Sequence, residues 1–204
     1  MKTMKRIVRP LLISGFVASL AVAAAAQAPR SARTVGPIMA SVTVDVYSDY
    51  QCPHCKVLAE ETLGLVRDNY ALKGKIRLVH HDFPLPQHPY AKQAAILAAA
   101  ADRIGKFDQV SEALFKQQDA WSTSGKVEDV VASVLTPDEA TKVRQLAKDP
   151  SVAAVVQRDI DLGTRLKIEQ TPTIIITKNL KSDRVPGAVS YAILSRYLDQ
   201  LLAP

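Results

Sequence analysis

Hydrophobic and polar positions follow two different periods along this chain, and the places where the period changes divide it. Val42-Thr43-Val44-Asp45-Val46-Tyr47 is a β-branched run of strand length, suited to burial on both faces. Pro53 fits the first turn of a helix, where its missing N–H costs little. Leu58, Leu63, Leu65 and Val66 carry that helix to about Tyr70, and Lys73-Gly74 ends it. Lys75 to His81 centres on Ile76, Leu78 and Val79 and reads as a second strand, closed by Asp82-Phe83-Pro84-Leu85-Pro86.

Residues 89–168 then read as helical. Ala91, Ala94, Ala95, Ala98 and Ala101 keep a helical period, as do Val127, Val130, Val131 and Val134. Thr136-Pro137-Asp138-Glu139 is a capping box with proline at the first helical position, and Asp149-Pro150 starts a further helix carrying Val152, Val155 and Val156. The period changes again at Thr173-Ile174-Ile175-Ile176-Thr177, a strand with a short partner expected at Arg184-Val185. After Pro186-Gly187 comes a final amphipathic helix with Ile193, Leu194, Tyr197, Leu198 and Leu201. The predicted order is βαβ, a helical block of about 80 residues with structure of its own, then ββα. This is an α/β fold with a large helical insertion between its two halves.

The chain ahead of the first strand changes the picture of its charge. Lys2, Lys5, Arg6 and Arg9 precede an apolar stretch from Leu11 to Ala23, and Ala24-Ala25-Ala26 offers a small-residue cleavage site. Residues 1–26 therefore read as a secretory signal peptide, its apolar run too short and alanine-rich for a bilayer span. No cysteine stands near the cleavage site to be acylated. Residues 27–40, rich in Pro, Ala and Arg and without a period, read as a flexible leader. The signal segment holds four of the 26 Lys+Arg and none of the 20 Asp+Glu, which leaves 22 against 20 in residues 27–204. No clustered basic stripe remains, so no nucleic-acid partner is expected. The mature length suits one domain, residues 41–204, with the insertion at about 89–168. Export to the periplasm or outside the cell permits disulfides to persist.

The only two cysteines stand three apart, in Cys52-Pro53-His54-Cys55, directly after the first strand. A tetrahedral metal site needs four ligands, and His80, His81 and His88 would have to be recruited from elsewhere. A structural bridge gains most from closing a long loop, which this spacing does not provide. Both readings remain beside the third, a dithiol that closes, opens and passes its disulfide on. In that reading Cys52, at the helix start, is the attacking thiol and Cys55 resolves the mixed disulfide. Free backbone N–H groups and the helix dipole favour the Cys52 thiolate, and the His54 imidazole can add a donor or a charge. On sequence alone Pro172, in Thr171-Pro172-Thr173, is a trans boundary proline at a strand entry.

Ser48-Asp49-Tyr50-Gln51-Cys52-Pro53-His54-Cys55, Asp82-Phe83-Pro84-Leu85 with His88-Pro89, the alanine-rich helix, Gly105-Lys106-Phe107, Leu114-Phe115 and Thr171-Pro172-Thr173 fall in order over about 45 to 190. Together they resemble the DsbA-like branch of the thioredoxin superfamily, in its secreted bacterial single-domain form. The resemblance implies a thioredoxin-like fold, a cis Pro172 facing Cys52, and a Thr171 backbone that binds extended substrate by main-chain pairing. It implies a periplasmic oxidoreductase that introduces disulfides into reduced or misoxidised exported polypeptides, needs no cofactor or metal, and is reoxidised by a membrane redox partner. A reductase or isomerase, and a non-catalytic metal-handling or folding-helper protein, are the alternatives. Two positions depart from the family pattern. Val46 stands where relatives often place a buried acid, with Asp45 expected on the opposite face, so the Cys55 proton is expected to leave through water or another group. Gln170 stands where relatives often have glycine. His80 and His81 are expected to be structural or solvent-facing, His88 to cap the next helix, and Trp121, Phe107 and Phe115 to be core or groove-wall residues.

Overall fold

The computed structural model describes residues 31–203, so the expected signal peptide and residues 27–30 of the leader lie outside the described residues. Five strands form one sheet in the order β1-β3-β2-β4-β5. They are β1 Thr34–Val35, β2 Val42–Ser48, β3 Arg77–Asp82, β4 Thr173–Lys178 and β5 Lys181–Pro186. Only β2 and β3 run parallel; the other three pairings are antiparallel. The central position of β2 explains its composition. Val42, Val44 and Val46 are buried on one face and Tyr47 on the other.

Helix α1 opens at Pro53–Leu58 and continues to Ala71, widening into π turns over Ala59–Leu63 and Arg67–Ala71. Gly74, at φ +72°, turns the chain away from it. Leu58, Val66 and Tyr70 of α1 pack with Leu194 and Leu198 of the last helix, α8 (Tyr191–Leu202), against Val42, Val44, Val46, Ile174 and Ile176 of the sheet.

The insertion supplies six helices between β3 and β4: α2 Ala91–Asp102, α3 Phe107–Lys116, α4 Gln118–Trp121, α5 Val127–Ser133, α6 Pro137–Leu146 and α7 Pro150–Arg165. The expected capping box is present at Thr136 and Glu139, and Asp149 caps α7 by accepting from the Ser151 N–H. Alanines of α2 let the neighbouring helices close in around Leu114, Trp121, Val127, Val143 and Val156. On the other face of the sheet α7 approaches so closely that a Cβ at Gly163 would stand 2.5 Å from the Phe83 ring. Cys52, Cys55 and Tyr50 belong to the core of the insertion, which places the dithiol where the insertion meets the sheet. No helix among the described residues is long and apolar enough to cross a membrane.

Two expectations need correction. The leader contains a strand: Thr34 and Val35 pair with Val79 and Leu78, and the preceding Arg33 is buried against Asp82 and Asp159. A two-residue strand shows no period, and the burial of Arg33 depends on carboxylates far away in sequence. The partner of β4 is also longer than Arg184-Val185. Strand β5 is an edge strand exposed along most of its length, so it carries no hydrophobic alternation.

Candidate active site

Cys52 caps α1 with extended backbone (φ −80°, ψ 123°), and Pro53 follows as the first helical residue. Its carbonyl accepts from the N–H groups of Cys55 (3.1 Å) and Lys56 (3.2 Å), so the sulfur stands at the open N-terminal end of the helix. Both cysteines are free thiols and buried, Cys52 at 5% exposure and Cys55 at 1%. Their environments push them apart. The Cys55 thiol, hydrogen-bonded to the Cys52 sulfur, is the chief cause that brings Cys52 down to about 5. Burial works against that shift, while Thr171 and the main-chain N–H groups of Cys55 and His54 assist it. Burial, and then the neighbouring Cys52 sulfur, push the Cys55 thiol well above its ordinary value. The Asp49 N–H at 3.4 Å and the Ser48 hydroxyl act in the opposite direction on Cys55.

Thr171 meets Cys52 across the site. The neutral Cys52 thiol donates to the Thr171 carbonyl at 3.3 Å, and the Thr171–Pro172 bond is cis. The Thr171 hydroxyl is buried and has no hydrogen-bond partner among the described residues. The sequence therefore pointed at residues that the fold brings together: Cys52, Cys55, Pro53 and Thr171-Pro172. His54 differs. Its imidazole is exposed and makes no hydrogen bond among the described residues, and its backbone N–H is the part that favours the thiolate.

The loop before Cys52 is held by residues to which the sequence assigned no part in holding it. The fully buried Asp49 carboxylate accepts from the N–H groups of Gln51 (2.7 Å) and Leu85 (2.8 Å) and pairs with His88 Nδ1 (2.7 Å). His88 thus ties the exit of β3 to the dithiol loop instead of capping α2, whose N-cap is Tyr90. Gln51 accepts from the Tyr90 N–H and donates to the Ser122 carbonyl, both at 2.8 Å. Gln118 Nε2 donates to the carbonyls of Tyr50 (2.7 Å) and Cys52 (3.1 Å). The readable signal was position: Asp49 and Gln51 immediately precede the cysteine motif.

Val46 is apolar and buried beneath α1, while Asp45 faces the other side of the sheet and bonds His81 Nε2 at 2.9 Å. His81 also bonds Asp159 at 3.0 Å and stacks on Tyr47. Burial opposes its charge, but the two carboxylates outweigh that and raise it to about 9. On β3 the wholly buried Asp82 pairs with Arg33 and His80, which overcome its burial and hold its carboxyl below the usual range. Trp121, Phe107 and Phe115 are core residues. A cavity of about 720 Å³ lined by Val46, Ala59, Leu63, Phe107 and Phe115 is lined by neither cysteine nor Thr171. No three His, Cys, Asp or Glu side chains converge as a metal-ligand set among the described residues.

A buried thiol pair with opposed acidities can exchange disulfides, since the stable thiolate is the better leaving group. The comparisons agree with that chemistry. The model of the family described as Thioredoxin matches residues 30–200. Disulfide bond formation protein D of Bacillus subtilis (strain 168) is 28% identical over 146 residues, 67% of this chain and 64% of that protein. Probable disulfide bond formation protein D of Bacillus anthracis is 25% identical over 157 residues, 72% of this chain and 70% of that protein. The chain thus spans about two thirds of the length of these relatives. The crystal structure of Wolbachia pipientis alpha-DsbA1 superposes with a TM-score of 0.68 at 19% identity, over 83% of this chain and 90% of that one, a likeness of fold.

Proposed function

The chain belongs to the thioredoxin family as a DsbA-like thiol–disulfide oxidoreductase, and we propose that it works in the oxidising direction, donating the Cys52–Cys55 disulfide to reduced exported polypeptides in the periplasm. The observation that carries the direction is the stabilised Cys52 thiolate at the start of α1. Stabilising the reduced form raises the tendency of the disulfide to be reduced, and a disulfide that is readily reduced is a strong oxidant.

In this reading a substrate thiolate attacks the Cys52 sulfur of the disulfide, and Cys55 leaves and takes up a proton. A second substrate thiolate then attacks the substrate-side sulfur of the mixed disulfide and expels the Cys52 thiolate. Substrate loses two electrons and two protons in all; the electrons reduce the pair, one proton ends on the Cys55 thiol and the other goes to water, leaving the protein as the Cys52 thiolate with the Cys55 thiol. Thr171 and Pro172 line the place where the extended substrate meets Cys52, Pro53 opens the helix, and His54 presents an exposed ring beside the entering chain. A membrane redox partner restores the disulfide.

The test is the equilibrium of the Cys52–Cys55 pair with glutathione, together with trapping. A potential near about −120 mV fits a donor, whereas one near about −270 mV assigns the pair to reduction and overturns the proposed direction. Cys55→Ser is expected to accumulate mixed disulfides when its Cys52 thiolate attacks a disulfide-bonded substrate, and Cys52→Ser to accumulate none.

A further inference from the structure

One short run of the insertion holds the reactive loop at several points. Gln118 reaches the Tyr50 and Cys52 carbonyls, Asp119 pairs with Lys56 at 3.1 Å, and the Ser122 carbonyl accepts from Gln51. Trp121 anchors the run: it is fully buried and its Nε1–H donates to the Leu114 carbonyl at 2.8 Å. The Lys56–Asp119 pair is solvent-facing, with Asp119 at 90% exposure, and contributes little. Gln118 is different, being only 3% exposed. Both of its partners are carbonyl oxygens, which can only accept, so the amide nitrogen must face them.

We propose that Gln118 is a positioning residue of the dithiol, setting the reactivity of Cys52 through the carbonyl of that same residue. The Cys52 carbonyl already receives the N–H groups of Cys55 and Lys56, and Gln118 adds a third donor from outside the helix. The oxygen belongs to the residue that carries the sulfur, and its negative end opposes charge there. A donor that offsets this potential favours the thiolate, and in a water-poor setting the effect is not screened away. The disulfide carries no such charge, so the contact discriminates between the redox states. Its second bond, to Tyr50, keeps the amide from turning away. The inference rests on the dithiol being redox-active and extends that reading to the insertion, which becomes part of the machinery that tunes the thiol.

The experiment uses the full chain with Gln118→Met, which keeps the length of the side chain and removes the donor. Three readings are taken: thiolate absorbance of the reduced protein against pH, the equilibrium constant with glutathione, and urea unfolding of oxidised and reduced forms. The Cys52 ionisation is expected to move up, and the disulfide to become about three- to tenfold harder to reduce, the size of one ordinary hydrogen bond. The reduced form is expected to lose more stability than the oxidised form. If Gln118→Met does not fold, Gln118→Asn, one methylene short of both carbonyls, is read in its place with the same expected direction. Equal losses of stability in both forms, with the glutathione equilibrium and the Cys52 ionisation unchanged within twofold, overturn the proposal. The potential of the unmodified protein tests the oxidising direction separately, because a reducing pair still shows or lacks the Gln118 shift.

Discussion

Two groups of buried polar side chains flank the parallel pair β2 and β3, and they are finished to different degrees. In the first, Arg33 pairs with Asp82 and Asp159, His80 with Asp82, and His81 with both Asp45 and Asp159. Every charge there faces an opposite charge, and the group ties the first strand, β3 and α7 together. In the second, around Cys52, the Thr171 hydroxyl has no fixed partner, and two thiols a turn apart compete for one proton. A closed network gains rigidity and gives up chemistry. An open one keeps a nucleophile that a substrate can complete.

The comparison breaks most visibly at Arg33. Arg33→Met leaves Asp82, with no exposed surface, facing only His80. Removing one partner of a buried pair costs about 3–5 kcal/mol, read as a lower urea midpoint of unfolding. The glutathione equilibrium of the dithiol is expected to stay within twofold. A redox shift as large as the stability loss would show that the two groups act as one.

The two groups also titrate in opposite senses. The folded value for His81, about 9, lies above its ordinary 6.5. Its contribution is therefore full below about 6.5 and fades as pH rises through about 9, a loss of at most about 3 kcal/mol. Cys52 is depressed from 9.0 to about 5. Its thiolate contributes to the reduced protein above the ordinary thiol value, and that contribution fades as pH falls through about 5. Urea unfolding of the oxidised protein across pH 6.5–9 should lose stability with rising pH, and His81→Asn should flatten that slope. Over pH 5–9 the advantage of the reduced over the oxidised form should grow. Parallel curves for the two redox forms would remove the proposed source of oxidising power.

How far each group was legible in the sequence follows from how local its causes are. The spacing of Cys52 and Cys55 and the proline after Cys52 announce a dithiol at a helix start, because covalent spacing and helix geometry decide it. The strands and the capped helices were readable for the same reason: β2 repeats valine at Val42, Val44 and Val46, and Thr136 lies three residues from Glu139. The closed network was not readable. Arg33 meets Asp82 and Asp159 across 49 and 126 residues, and nothing near it in sequence marks it as buried. Gln118 was invisible for a related reason, since the work of a glutamine depends wholly on what it faces. His88 shows the opposite error, in which the neighbouring Pro89 suggested a helix cap while the fold offered the stronger Asp49 carboxylate. The cis bond at Pro172 was expected only from the family resemblance, as sequence alone favours trans.

The smallest effect is the one that sharpens the contrast most. Thr171→Val keeps the bulk of the side chain and removes a buried hydroxyl that has no fixed partner. In a closed network such a change would strand the group on the other side. Here it strands nothing, so the oxidised form is expected to hold its stability or gain up to about 1 kcal/mol. The same hydroxyl favours the Cys52 thiolate, so its loss is expected to move the Cys52 ionisation up and make the disulfide about two- to fivefold harder to reduce. Thiolate absorbance and the glutathione equilibrium read both effects in one preparation. Lost stability in the oxidised form with an unchanged Cys52 would mean that the hydroxyl is a structural group after all. The open cluster would then be no different in kind from the closed one.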